Sequence, residues 1–441
     1  LWALVYVFGF YCLWVTFSVS GLLGFLSGML YLFIKNFKKI FETKTSKVKV
    51  LFIVSVTILV FLLNGGLYKD KFHDFYIDVK KQFVVVKKVY ASVDLNKLSD
   101  PGFIRLELWK STFDLITSSP KIFLVGTGPE TFPYVFQDFR NGKLNYSSEW
   151  DFVFNKPHNY YLEIWSESGI FTLMTFIALI YLSIKKLPDY ISSSIVVFGI
   201  TNIFGWPVVP TSLLFWFIIC GLDYGDSKVR SIPVRINFKF KSKNFVRFCR
   251  ALLIFVVVGV YFYLNLYIFK FYNADIYYKK GQEYIKNGDE KRALYYADKA
   301  VTANPYEPNY YRGRAKIKTV LLASTQNNIK IKQEIYDDLK KALELNKNNL
   351  VTIRNSIPIY YFLAVGDVYK APGKDNYDEK YVELVKDFFN DTKRNYSNDV
   401  GVLVSIAKYE KKLGLEESYQ DSVTRIEFLR PDLLEWHELF R

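Results

Sequence analysis

The chain has 441 residues, 51% of them hydrophobic and 18% aromatic, and a formal net charge of +15. That composition excludes a disordered chain. Three cysteines (Cys12, Cys220, Cys249), all in or beside apolar segments, exclude a disulfide framework and a cysteine-based zinc site. Three widely spaced histidines form no metal-binding cluster, so no metal and no cofactor is expected.

The sequence opens on Leu1 inside an apolar run and reads as a fragment that lacks earlier helices. Apolar runs cover 1–34, 50–63, 170–184, 190–222 and 251–269. A helix needs ~20 mainly apolar residues to cross a bilayer. The run 1–34 holds one truncated and one whole crossing, with a break between Thr16 and Gly21. The run 50–63 must borrow Leu67 or Tyr68, and 190–222 divides at Gly205-Trp206-Pro207 and Pro210. Seven crossings are expected, the first incomplete.

Charge placement orients them. Residues 35–49 carry Lys35, Lys38, Lys39, Lys44, Lys47 and Lys49 against Glu42 alone. Residues 223–250 carry eight basic against two acidic side chains, and Lys185 and Lys186 face Asp189 in the link 185–189. Basic loops are retained in the cytoplasm, so these three stretches are expected there, in the cytoplasmic membrane. Residues 65–160 and everything after 270 are then extracytoplasmic. The stretch 271–441 is nearly neutral, with 28 basic and 26 acidic residues. Because membrane orientation accounts for the high charge, no nucleic-acid partner is expected.

The outer loop is too long to be structureless. Residues 76–90, with Val84, Val85 and Val86 among lysines, give no clear period. Ser99-Asp100-Pro101 reads as a helix start, Leu106, Trp109, Phe113 and Ile116 follow helical spacing, and Pro120 closes the segment. Arg105 lies one turn before Trp109, so the two share a face. The sequence GTGPETF (Gly126 to Phe132) is a tight turn, without the Lys-Ser/Thr that a phosphate-cradling loop needs. His158 sits at the mouth of the next crossing, with Asn159 as its cap. Glu163 and Glu167 lie one turn apart near the outer boundary, where ionisable groups are costly unless paired or hydrated and so mark a site.

After Asn273 the pattern turns polar. Tyr277, Gly281, Tyr284, Ala293, Ala297, Ala300 and Pro305 fit a tetratricopeptide-like period, with Asn287-Gly288-Asp289 as the hairpin turn. Weaker units run through Tyr311, Ala315, Leu339, Ala342 and Leu345, and through Ala407, Gly414 and Pro431. Such an array either binds a protein partner or packs on its own membrane part. The expected organisation is all-α, with membrane helices at 1–64 and 161–270, the outer loop at 65–160 and an α-solenoid at 271–441.

R-x3-W (Arg105, Trp109), the G-x-G turn with Phe132 (Gly126, Gly128), and H-N-x-x-L-E with a later Gly (His158, Asn159, Leu162, Glu163, Gly169) together resemble the O-antigen ligases and related polymerase-type membrane glycosyltransferases. The resemblance spans about Thr16 to Gly169. It implies a GT-C-like helical membrane fold that moves a glycan from a polyprenyl diphosphate to an acceptor hydroxyl on a lipid, protein or glycan. It also implies that Arg105 and His158 are the main functional positions. The chemistry agrees. A guanidinium fork pairs with phosphate oxygens, and an imidazole can take the acceptor's proton. Glu163, Asn159 and Trp109 are further substrate-binding candidates, Glu163 also as an orienting partner for His158, and Trp109 rather as an anchor of the loop than as a surface under the sugar.

One element departs from the family. Where its members carry S-R-x-G, this chain has Ser18-Val19-Ser20-Gly21, so Val19 replaces an arginine. Either Arg140 or Lys156 substitutes for that cation, or the protein is weak or inactive. The rival to the enzyme is a non-enzymatic membrane anchor that displays its helical repeat for envelope assembly. Ligase and polymerase differ only in acceptor, and the sequence does not choose between them.

Overall fold

Lipid offers no partner for a backbone amide, so apolar runs of this length close their hydrogen bonds within helices. The computed structural model describes residues 2–60, 101–220, 243–324, 328–365 and 376–434. Among these it is helical, with no strand and a single isolated bridge between Val365 and Tyr377. The chain divides into two compact units, Leu1–Val229 and Arg230–Arg441. Ser99, Asp100, the stretch 76–90, Leu67, Tyr68 and most of the basic stretch 223–250 lie outside the described residues.

The first unit begins with α1 (Trp2–Val15) and α2 (Val19–Glu42), separated at the expected break. Ser18 caps α2 by accepting from the Gly21 amide at 3.0 Å. Residues 44–60 form α3. Residues 101–159 hold α4 (Pro101–Thr117), α5 (Pro120–Val125) and the single turn α6 (Phe132–Val135), with 3-10 turns at Phe136–Phe139 and Gly142–Tyr146. Pro120 does more than end α4. It opens α5 at a position where its missing N–H costs nothing, behind the Ser119 cap. Then follow α7 (Tyr160–Lys186), α8 (Asp189–Thr201) and α9 (Val209–Cys220), with the expected turn between the last two.

Small residues set the helix packing. On α2, Gly24 and Gly28 face α8 so closely that an added Cβ would meet the Thr201 methyl at 2.5 Å and the Val197 methyl at 2.6 Å. In lipid such close approach, rather than water exclusion, drives association. Asn36 on α2 donates to Asp189 of α8 at 3.3 Å. The two helices therefore run antiparallel, with Lys35, Lys38 and Lys39 at the same end as Lys185 and Lys186, and residues 201–206 at the other.

In the second unit α10 (Lys243–Lys286) is one continuous helix. It passes through residue 271, where the composition changes. Its apolar part, 251–270, is almost wholly exposed, as a lipid-facing helix must be. By length and composition Val19–Glu42, Tyr160–Lys186 and Arg247–Lys286 can each cross a membrane, while α1, α8 and α9 are shorter apolar helices. The C-terminal part of α10 pairs with α11 (Glu290–Ala303) through Gly288 (φ 75°) and the Asp289 cap. Gly281 lets the two helices close, because a Cβ there would sit 3.3 Å from the Ala293 carbonyl oxygen. The chain continues as helix pairs α12 (Pro308–Ser324) with α13 (Ile329–Leu345), α14 (Leu350–Ala364) with α15 (Glu379–Asn395), and α16 (Val400–Leu413) with α17 (Glu416–Leu429), each stacked on the next. Ala315, Leu339, Ala342 and Ala407 are fully buried between them.

Candidate functional site

The segment 101–159 has its own apolar core of Ile104, Leu108, Leu115, Phe132, Phe136, Leu144 and Phe154. The i, i+4 rows of α4 divide the work. Ile104, Leu108 and Leu115 face this core, and buried Glu107 fixes the 140s turn by accepting from Asn141 Nδ2 at 3.0 Å. The Ser111 hydroxyl accepts from the Asn141 amide at 3.2 Å.

The G-x-G turn is spent on α7. The amides of Thr127 and Gly128 donate to the carbonyls of Ser166 and Glu167, each at 2.9 Å. The amides of Glu130 and Phe132 donate to the two carboxylate oxygens of Glu167 at 2.9 and 3.1 Å. The turn thus cradles an anion, and that anion is the protein's own Glu167. Gly169 breaks α7 with φ 79° and ψ 173°, which separates the motif-bearing stretch 160–168 after Asn159 from the apolar helix 170–186.

Behind this lock the charge of Arg105 lies within electrostatic reach of His158. Arg105 is half-buried on α4, and burial lowers its proton affinity, an effect that the nearby Glu149 carboxylate partly offsets. A guanidinium stays charged through such a shift. Burial likewise raises Glu149, against the pull of Arg105. His158 is held below its ordinary value, first by burial and then by the positive charge of Arg105. The imidazole is therefore neutral at neutral pH and can accept a proton. Its backbone is left-handed, φ 54°, a conformation that costs a non-glycine residue ~1–3 kcal/mol and persists where surroundings enforce it. Pro157 before it and the Asn159 cap after it supply that constraint.

The other candidate residues have partners of their own. Asn159 is a structural cap: its side-chain oxygen accepts from the amides of Tyr161 and Leu162 at 3.0 and 3.2 Å. Glu163 does not orient His158. Its Oε1 holds Lys156 Nζ at 2.5 Å, and its Oε2 is buried with no hydrogen-bond partner. Lys156 also reaches Glu130 at 3.4 Å. Although burial opposes its charge, these carboxylates hold the ammonium above its ordinary value. Trp109 packs on the loop core and against Phe204, ring centroids 6.1 Å apart, so it anchors the helix that carries Arg105. Arg140, a candidate substitute cation, is turned inward. It is 1% exposed, donates to the Trp150 carbonyl at 2.5 Å, and stacks its guanidinium on Phe154 at 5.5 Å. Its guanidinium is thus part of the interior of this segment. Val19 is the first residue of α2 and brings no charge.

Three features at the site had no assigned role in the sequence reading. Glu149 lies in a stretch without periodicity. The role of Glu167 depends on a turn 37 residues earlier. Trp206, in the α8–α9 turn, meets the His158 ring edge to face at 4.9 Å. Among the described residues no group of acidic, histidine or cysteine side chains is placed to hold a metal ion.

Comparison with known proteins supplies one match. The model of a family described as O-antigen ligase matches residues 4–177, a span that contains Arg105, the G-x-G turn, His158 and Gly169. No curated protein and no solved structure matches the chain.

Proposed function

With residues 4–177 related to the O-antigen ligases, a family of membrane glycosyltransferases, we propose that this protein moves a glycan from a polyprenyl diphosphate to an acceptor hydroxyl. The observation that supports this reading is that the Arg105 charge is felt at the His158 imidazole, beside a turn locked by Glu167 within the span that matches the family. An imidazole nitrogen of His158 takes the acceptor proton as the acceptor oxygen bonds to the anomeric carbon. The bond from that carbon to the diphosphate oxygen breaks, and its electron pair leaves with the diphosphate. Arg105 meets the charge that develops there, where charge-assisted hydrogen bonds are strongest. The nearby Glu149 carboxylate favours the charge on Arg105.

The protein is a multi-pass component of the cytoplasmic membrane on this reading, with loop 65–160 and the helical unit after 270 outside. The shared end of Lys35–Lys39 and Lys185–Lys186, remote from residues 201–206, supports that orientation. The stacked helix pairs, read as tetratricopeptide-like, offer a surface for a protein partner or acceptor. Transfer to lipid or protein differs from polymerisation only in the acceptor.

Val19, and the burial of Arg140, favour the second reading, a non-enzymatic anchor for envelope assembly. Surface-glycan analysis of cells that carry wild type, Arg105→Ala or His158→Ala separates the two. An enzyme loses transfer in both variants while the protein stays inserted and abundant. Unchanged glycan in both variants, in a strain where deleting the wild type removes it, leaves the anchor.

A further inference from the structure

The α8–α9 turn lies beyond the matched residues 4–177, yet it touches both functional elements. The Asn202 carbonyl accepts from the Tyr160 amide at 2.9 Å, two residues after His158. Asn202 is 4% exposed, and its Nδ2 is buried without a hydrogen-bond partner. Phe204 meets Trp109 of the Arg105 helix. Trp206 then projects over His158, ring centroids 4.9 Å apart at 72°, and remains 40% exposed. An indole needs no such exposure to pack a loop; an open ring beside a proton acceptor is a surface for another flat, amphipathic group.

We infer that Trp206 is a substrate-binding residue: the acceptor's sugar ring lies against its exposed indole while one hydroxyl of that ring meets His158. This rests on the function proposed above and assigns the acceptor side of the site to a turn that the family match does not include. Phe204 and Asn202 are positioning residues, which hold the turn against Trp109 and the start of α7.

The test uses the full chain in native membranes. Trp206→Leu removes the indole surface against which the C–H face of the sugar packs, so it should raise the acceptor KM about tenfold or more. Trp206→Phe should recover most of that loss, and the donor KM should stay unchanged in both. An unchanged acceptor KM in Trp206→Leu, or a loss shared equally by the donor, overturns the assignment. A second measurement does not depend on turnover: the rate at which diethylpyrocarbonate modifies His158, with and without oligosaccharide released from the cells' own surface glycan. Protection in the wild type that disappears in Trp206→Leu and persists in Trp206→Phe supports it. Protection equal in all three, or none in the wild type, rejects it. If His158→Ala retains transfer, the proposed reaction itself fails. If His158→Ala is dead and Trp206→Leu keeps the wild-type acceptor KM, only this inference does.

Discussion

Gly126 and Gly169 interlock. A Cβ on Gly126 would lie 2.2 Å from the Glu167 carbonyl carbon, and one on Gly169 would lie 2.1 Å from the Leu124 carbonyl oxygen. Both have left-handed φ, 82° and 79°. Each glycine therefore admits the backbone beside the other, and the G-x-G turn and the later motif glycine are two halves of one contact. Either Gly126→Ala or Gly169→Ala adds backbone strain and a clash with main chain that cannot move aside. We expect each to cost about 2–4 kcal/mol, seen as earlier thermal unfolding of the loop and as loss of transfer. Unaltered melting of the purified protein in either variant would contradict the interlock.

Glu167 is the second part of that lock. Its carboxylate accepts two backbone amides, and hydrogen bonds to a charged group contribute ~1.5–3 kcal/mol each. Glu167→Gln keeps the shape but replaces one acceptor oxygen by a donor that faces the Glu130 or Phe132 N–H. It should therefore destabilise the turn more than Glu163→Gln, whose partner is a single lysine. Amide hydrogen exchange at residues 127–132 reads the difference, and equal exchange in the two variants would remove Glu167 from its role.

The sequence carried much of this arrangement, because apolar runs and motif order are local signals. The breaks at Thr16–Gly21 and at Gly205–Pro210, and the Asn287-Gly288-Asp289 turn, lie where turn chemistry puts them. Glu167 was marked by its depth in an apolar helix, though not its partner. Trp206 and Glu149 left no such trace, since they join His158 and Arg105 only through contacts between segments about 45 residues apart. Arg140 shows the reverse failure. A lone arginine in a loop reads as an available charge, and only the packing on Phe154 shows that it is interior.

Arg140 and Arg105 should consequently respond differently to substitution. Arg140→Ala removes a buried donor to the Trp150 carbonyl and empties part of the loop interior, at an expected ~2–4 kcal/mol of stability. Whatever protein survives should keep a wild-type donor KM. Arg105→Ala, on a half-exposed face, should leave stability nearly intact and abolish transfer. A raised donor KM in well-folded Arg140→Ala would return that residue to the substrate site.

Acid should act on His158 in a defined direction. Its folded value lies below the ordinary 6.5, because of burial first and the Arg105 charge second. In the unfolded chain the imidazole takes its proton near 6.5, while in the folded chain it resists until lower pH. Its contribution to stability is therefore complete above about pH 6.5 and declines as pH falls through the window between the two values. Transfer should follow the same window, since only the neutral imidazole accepts a proton, and should fall on the acid side at a midpoint below 6.5. Arg105→Gln removes the second cause and leaves the first. Its midpoint for carbethoxylation of His158 should move up toward, without reaching, the ordinary value, and Trp206→Leu should move it the same way by admitting water. A midpoint that stays fixed, or moves down, in Arg105→Gln would mean that the guanidinium and the imidazole do not sense one another.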